Sequence, residues 1–399
     1  MKRLGKLIFV YAFIFNTSGV QRFIGLNYSL VLAQLIAYLN LFLLLFAALQ
    51  FIKEKGDSSI TVNSWLVYNF IYYVLGLLAS IRYNYFEYIP MTVVQLVYLF
   101  SFLIFFKKKS NRDGFLNTMI LAFFLYNVLT IFLFHIGYDA GSNTFLPFGV
   151  NRAEGMIGDA NNSALISIIG YIFLYTHYYP KIKILRYSAL ILTIYSLFIT
   201  FSTTGLFIFV VVIAILNNKF FTKERLLFSV ILIPLIYICL INITFLVEPL
   251  NLKELQMMKV KNIENLLSFN FNQVDSSGRD DLVLQTMGYI YDNPFTGYGI
   301  GFGSETRSHN TFINIWADSG ILALLTFVGV TLLHFFRAFK LKIYEKPLVF
   351  SILMTLLIFM FSLQTVINQP YIIVLYIYLG YFIDEKIRYS NPSIHNQEL

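Results

Sequence analysis

The 399-residue sequence predicts an all-α, polytopic membrane protein, and three observations carry that reading. Hydrophobic residues make up 58% of the chain and charged residues only 13%, where a soluble domain carries about a quarter charged. The apolar residues run in blocks close to the ~20 residues that a helix needs to cross the hydrocarbon core, and the blocks recur along the whole chain. The basic residues fall between blocks, and mostly between alternate ones. Phe (42) and Tyr (28) are abundant, which suits lipid-facing surfaces and interfacial belts.

About twelve spans are predicted, at 5–20, 29–52, 62–82, 88–106, 114–136, 162–180, 186–201, 204–218, 226–246, 310–334, 347–366 and 370–385. Met1-Lys2-Arg3 precedes the first apolar block, but no small-residue cleavage site follows, so the block reads as a span and not as a signal peptide. With the N-terminus inside, 21 of the 29 Lys and Arg residues fall in cytoplasmic segments and 8 in outer ones, and every inner segment is basic. Both termini are then cytoplasmic. The net charge of +8 is therefore a topology signal, and nucleic acid is not an expected partner. The lone cysteine, Cys239, sits in an apolar run and implies neither a disulfide nor a metal site.

No internal repeat is visible, so residues 1–399 read as one transmembrane domain with two long outer loops, 137–161 and 246–308. Loops of that length usually carry function. The larger holds five basic and eight acidic residues, so an anion there would be held by particular arginines and not by a general field. It also contains helix signals. Ser277 is a candidate N-cap with Asp280 as its capping-box partner, and Leu282, Leu284, Met287, Ile290 and Tyr291 supply an apolar face. Asn293-Pro294 stops that helix, a glycine-rich turn runs from Gly297 to Gly303, and His309-Asn310 opens the next span. Asp280 and Asp281 are adjacent on a helix and point apart, so no metal pair is expected. Trp316 reads as an interfacial anchor, and Asp318, inside the membrane boundary, as a residue with a functional role or a partner.

The ordered pattern from Ser277 to Gly320 is S-G-R, about a dozen helical residues, N-P-F-T-G-Y-G-I-G, then H-N-T-F-I-N-I-W and D-S-G. With Arg152-Ala153-Glu154-Gly155 to Asn161 ahead of a span, it resembles the O-antigen ligase and Wzy-type polysaccharide polymerase family. The resemblance covers residues 151–163 and 277–320 closely, and the span layout throughout. It implies a helical fold similar to GT-C-like glycosyltransferases, in the cytoplasmic membrane of a bacterium. It also implies transfer of a glycan from a polyprenyl pyrophosphate carrier at the outer face, without metal or other cofactor. Arg279 and Arg152 would hold the pyrophosphate, where planar bidentate contacts suit arginine. His309 would take the proton of the acceptor hydroxyl. Arg307, Asn310, Asp318 and Gly299 complete the expected binding set. The lipid-linked oligosaccharide and membrane lipid are the implied partners, with a chain-length regulator and a flippase. Where the family commonly has a Ser-Arg-Gly-like turn, this chain reads Ser202-Thr203-Thr204-Gly205, and Arg152 or Arg307 is the candidate replacement.

The resemblance leaves polymerase and ligase side by side, since donor and chemistry are shared and only the acceptor differs. A cell-wall glycan polymerase of the cell-shape type also uses polyprenyl-linked donors, but the motif order fits it less well. A flippase or other transporter is the rival from another class. It predicts charged or broken helices near the bilayer centre and often repeat symmetry, and the sequence displays neither.

Overall fold

The computed structural model describes residues 2–139, 144–145, 151–177, 180–217, 242–248, 252–268, 270, 273, 278–363 and 366–390. Among these the chain is almost wholly helical. In order the helices are α1 (Lys2–Ser18), α2 (Val20–Asn27), α3 (Leu30–Leu49), α4 (Ile60–Tyr83), α5 (Ile89–Phe106), α6 (Lys109–His135), α7 (Ala160–Thr176), α8 (Lys183–Ile199), α9 (Thr203–Leu216), α10 (Ile243–Val247), α11 (Glu254–Leu267), α12 (Arg279–Asp292), α13 (Phe302–Thr306), α14 (Thr311–Ala338), α15 (Lys346–Met360) and α16 (Pro370–Ser390). A two-residue hairpin, β1 (Tyr138–Asp139) with β2 (Thr144–Phe145), lies between α6 and α7. Four helices, α3, α4, α6 and α14, are long and apolar enough to cross a membrane. A fifth span results if α1 and α2, bent by 56° at Gly19, cross together. Other helices occupy predicted spans but are shorter or more charged. Most of the predicted span 226–246, with Cys239, lies outside the described residues.

The caps follow from the sequence. Ser29, Ser59, Asp159, Ser202 and Asn310 each accept a hydrogen bond from a backbone N–H in the first turn of α3, α4, α7, α9 and α14. Each thereby satisfies a donor that a helix start leaves without an internal partner. In α12 the predicted start at Ser277 lies outside the described residues, while the stop holds, with the helix ending at Asp292. Its buried face differs from the predicted one. Thr286 and Ile290 are buried, whereas Leu284 is 69% and Tyr291 73% exposed. Thr286 and Ile290 are four residues apart on one stripe, and Leu284 and Tyr291 share a neighbouring stripe turned away from it.

The chain divides into two compact units, residues 1–122 with 279–399, and residues 123–278. In the first, α4 packs along α14, α5 along α16, and α3 against α1, α2 and α5. In the second, α7 packs against α8 and α9, and its residues 160–174 are buried on every side, as an all-round apolar helix requires.

One end of the first unit is held by charge. Arg112 donates to Asp57 at 2.6 Å, to Glu385 at 2.5 Å and to the Phe106 carbonyl at 2.6 Å. Asp384 accepts from Ser59, from the Thr61 hydroxyl and N–H, and from Arg337 at 2.6 Å. Asp57, Arg112 and Arg337 fall in segments that the charge pattern assigns to the cytoplasm, and these basic residues have acidic partners. The Arg112 side chain is only 3% exposed. Arg112→Ala leaves Glu385 with Lys109 at 2.7 Å, Asp57 with Arg388 at 3.6 Å and the Phe106 carbonyl without its donor, and is expected to cost about 1–3 kcal/mol. A fall in the thermal midpoint of the detergent-solubilised protein reads this, and an unchanged midpoint contradicts it.

α14 is not a continuous helix. Gly320 adopts φ 78°, ψ 179° inside it, so the helix is broken ten residues in, beside a buried aspartate. No broken helix is expected from the sequence, and α14 is one; the reason is long-range, since residues 294, 298 and 299 supply the hydrogen bonds that the break removes.

Candidate functional site

The site region of the first unit is built on that break. Tyr298 N–H donates to Ala317 O at 2.8 Å and Gly299 N–H to Asp318 O at 2.9 Å. On the far side of the break, Ile321 N–H donates to Pro294 O at 2.9 Å, as does the Trp316 indole at 2.8 Å. Each buried backbone group left unmade would cost about 1–3 kcal/mol, and non-helical backbone at membrane depth is tolerated only where protein satisfies it. The N-P-F-T-G-Y-G segment is therefore a strap that fills a gap in α14. Trp316, read from the sequence as an interfacial anchor, also anchors the strap.

Asp318 is 5% exposed, and its carboxylate is taken up by the protein. Tyr72 of α4 donates to Oδ2 at 2.7 Å and Gly303 N–H donates to Oδ1 at 2.6 Å. The anion cradled by the glycine-rich turn is thus the protein's own. Gly299, expected to contact substrate, is buried with its N–H given to Asp318 O. At φ 124° a side chain is strained there, and a Cβ would lie 2.6 Å from Ser80 Oγ. Asp318 and Gly299 position the strap, and through it α13 and the turn before α14.

That turn carries two of the residues singled out from the sequence, Arg307 and His309. Arg307 and His309 have φ 54° and 52°, and flank the buried Ser308. Ser308 donates to Asn314 Oδ1 and to Asn310 O. Asn310, expected to bind substrate, spends its Oδ1 on the N–H groups of Phe312 and Ile313. Positive φ is uncommon outside glycine and costs of order 1–3 kcal/mol. Arg307 closes α13 as its left-handed C-cap, and His309, two positions on, has the same backbone region with the buried Ser308 between them. Arg307 is exposed and His309 half-buried at the start of α14.

Arg279 is the first residue of α12, ahead of Asp280 and Asp281. α12 packs against α14 and is 14 residues, ~21 Å, long. Among the described residues Arg279 makes no ion pair, and none joins it to His309. A cation at a helix N-terminus opposes the macrodipole, an unfavourable placement of about 0.3–1 kcal/mol. Asp280 and Asp281 have the favourable sign there, so helix stability explains the aspartates and leaves Arg279 unexplained.

The second unit holds Arg152. Its Nε donates to Thr200 O at 2.9 Å, and Ala153 N–H donates to Ile199 O at 2.9 Å. Both carbonyls belong to the turn between α8 and α9, where the resemblance leads one to expect an arginine and the chain has Ser202-Thr203-Thr204-Gly205. Ser202 Oγ donates to Asn161 Oδ1 at 2.7 Å and caps α9 through Gly205 N–H. Phe201, immediately before, has φ 46°, an outlier for so bulky a residue. Strained backbone therefore marks this turn as it marks residues 307–309.

Around the strap lies an aromatic cluster whose members are scattered from residue 83 to residue 302 in the sequence. Tyr83, Tyr298 and Phe302 stack in series at 4.8 Å centroid spacings, and Tyr289 meets the latter two edge-on. Tyr85 stacks on Tyr88 and donates to Glu305 Oε2 at 2.6 Å. Burial first, and then the bond to Glu305, push the Tyr85 phenol well above its ordinary value, so it stays a donor. Among the described residues no group of His, Cys, Asp and Glu has the arrangement of a metal site.

Residues 188–328 match the family model described as O-antigen ligase. The match runs from α8 across the Ser202 turn and through Arg279, the strap, His309 and Gly320, and leaves Arg152 outside. No curated protein matches the chain.

Proposed function

We propose, for a chain whose residues 188–328 carry an O-antigen ligase family domain, that it is a polysaccharide polymerase of the Wzy type. The observation that carries this reading is the turn before α14, where Arg307 and His309, both at positive φ, flank the buried Ser308. An acceptor sugar hydroxyl attacks the anomeric carbon of the donor glycan as the bond to the polyprenyl pyrophosphate breaks. The hydroxyl proton passes to His309. The pyrophosphate leaves on its lipid, its charge met by Arg279, with Arg307 beside the histidine. Arg152, docked on the Thr200 carbonyl, supplies the cation that the Ser202-Thr203-Thr204-Gly205 turn lacks. Asp318, Asn310 and Gly299 hold the frame. No metal enters these steps.

The setting proposed with this reaction is one membrane domain of about twelve spans, similar to GT-C-like glycosyltransferases, in a bacterial cytoplasmic membrane. Both termini are inside, and the loops 137–161 and 246–308 are outside. A flippase would deliver the lipid-linked repeat unit, and a chain-length regulator would limit the product. The matched family's description favours a second reading, ligation of the glycan onto lipid A core, which differs in acceptor alone.

The broken α14 does not restore the transporter reading. Transporters leave half-helix ends open to substrate at such breaks, whereas here residues 294, 298 and 299 occupy them. Deleting the gene is expected to leave single lipid-linked repeat units on the outer leaflet. Accumulation on the cytoplasmic leaflet would contradict the proposal and favour a flippase.

A further inference from the structure

We propose that the aromatic cluster formed by Tyr83, Tyr85, Tyr88, Tyr289, Tyr298 and Phe302, with Glu305 at its rim, is a binding platform for the sugar rings of the glycan. The inference rests on the glycosyl-transfer reading and names a subsite for it.

The chemistry of the cluster selects its occupant. A pyranose ring presents a face of C–H groups and a rim of hydroxyls. The C–H face matches the negative face of an aromatic ring, and the rim needs acceptors and donors beside that ring. Both are interleaved here. Tyr83 OH donates to Asn293 Oδ1 at 2.6 Å, and Asn293 Nδ2 donates to Tyr298 OH at 2.8 Å. Glu305 is exposed and accepts from Tyr85 through one oxygen, and a carboxylate has about four acceptor positions to offer. Tyr289 is 37% exposed at the edge of the stack. Arg82 lies over the Tyr83 ring at 5.3 Å, so the patch carries both signs of charge and no net field for a polyanion.

Its position selects the same occupant. The rings come from the end of α4, the segment after it, α12, the strap and α13. Glu305 is four residues before His309, and the strap that carries Tyr298 is bonded to the α14 break. A plain interfacial belt has no need of an amide and a carboxylate threaded between its rings, nor of a connection to the strained turn.

The test is saturation-transfer NMR on the full chain in nanodiscs. The probe is the host's own repeat-unit oligosaccharide, freed from its lipid by mild acid. Wild type is expected to transfer saturation to sugar ring C–H protons. Tyr289→Leu, which keeps apolar bulk but removes the ring, is expected to lower the transfer at least threefold, and Tyr289→Trp to retain it, with all three proteins melting alike. Absence of transfer in wild type, or equal transfer in Tyr289→Leu, overturns the platform and leaves an interfacial belt. The reaction is read separately, as polymer in cells carrying Arg279→Ala. Polymer lost in Arg279→Ala with sugar binding unmoved in Tyr289→Leu sinks the platform and spares the reaction. Binding that depends on Tyr289, in a protein that turns over no lipid-linked glycan, supports the platform and sinks the reaction.

Discussion

Gly320→Ala is expected to abolish the folded protein, while Gly329→Ala in the same helix is expected to be nearly silent. Gly320 sits at φ 78°, ψ 179°, a region open essentially to glycine alone, where another residue costs of order 1–3 kcal/mol. A Cβ there would also fall on the Phe295 carbonyl group, which is backbone and cannot swing aside. Moving the strap to admit it would strip the bonds from Pro294, Tyr298 and Gly299 to α14 and leave their partners buried without mates, at about 1–3 kcal/mol each. The total, about 4–12 kcal/mol, is comparable with the whole margin of about 5–15 kcal/mol. Gly329 has nothing within 4 Å of its would-be Cβ, so the same substitution meets open space. Size-exclusion profiles of the two variants in detergent check the contrast. A monodisperse Gly320→Ala peak would mean that the strap does not fill the break.

The second large effect is chemical. Arg279→Ala and His309→Ala are expected to insert and fold normally and to eliminate long-chain polymer. Removing a preorganised cation from a developing oxyanion costs about 10²–10³-fold in rate, and removing a general base about 10²–10⁴-fold. Stability points the other way for Arg279. It opposes the dipole of α12, so alanine relieves an unfavourable charge of about 0.3–1 kcal/mol. A variant that is no less stable yet inactive separates function from fold. Normal chain lengths in both variants would remove Arg279 and His309 from the mechanism.

Much of this was legible in the sequence because it depends on local signals. Apolar blocks gave the helices, Asn310 opens α14 as expected, and Asn293-Pro294 follows the end of α12. The break at Gly320 was not legible. A glycine within an apolar run is common in membrane helices, and this one is a break only because backbone about twenty residues earlier in the chain supplies the missing bonds. The same distance hid Tyr72 beside Asp318, and Arg152 on the Thr200 carbonyl, 48 residues away. Gly299 was expected to contact substrate, but spacing does not reveal that its N–H is given to the Asp318 carbonyl. The buried stripe of α12 was misplaced because Leu284 and Tyr291 are apolar yet outward-facing, while the inward Thr286 satisfies its hydroxyl on the Leu282 carbonyl at 2.8 Å.

The central claim is that this chain moves glycan between lipid carriers without metal or nucleotide. The most direct measurement uses the purified full chain in liposomes, supplied with lipid-linked repeat unit and a chelator, with lipid products resolved by mass spectrometry. The account predicts longer lipid-linked glycans together with free polyprenyl pyrophosphate, one released for each bond formed. Unchanged repeat units, or units that merely change leaflet, would contradict it.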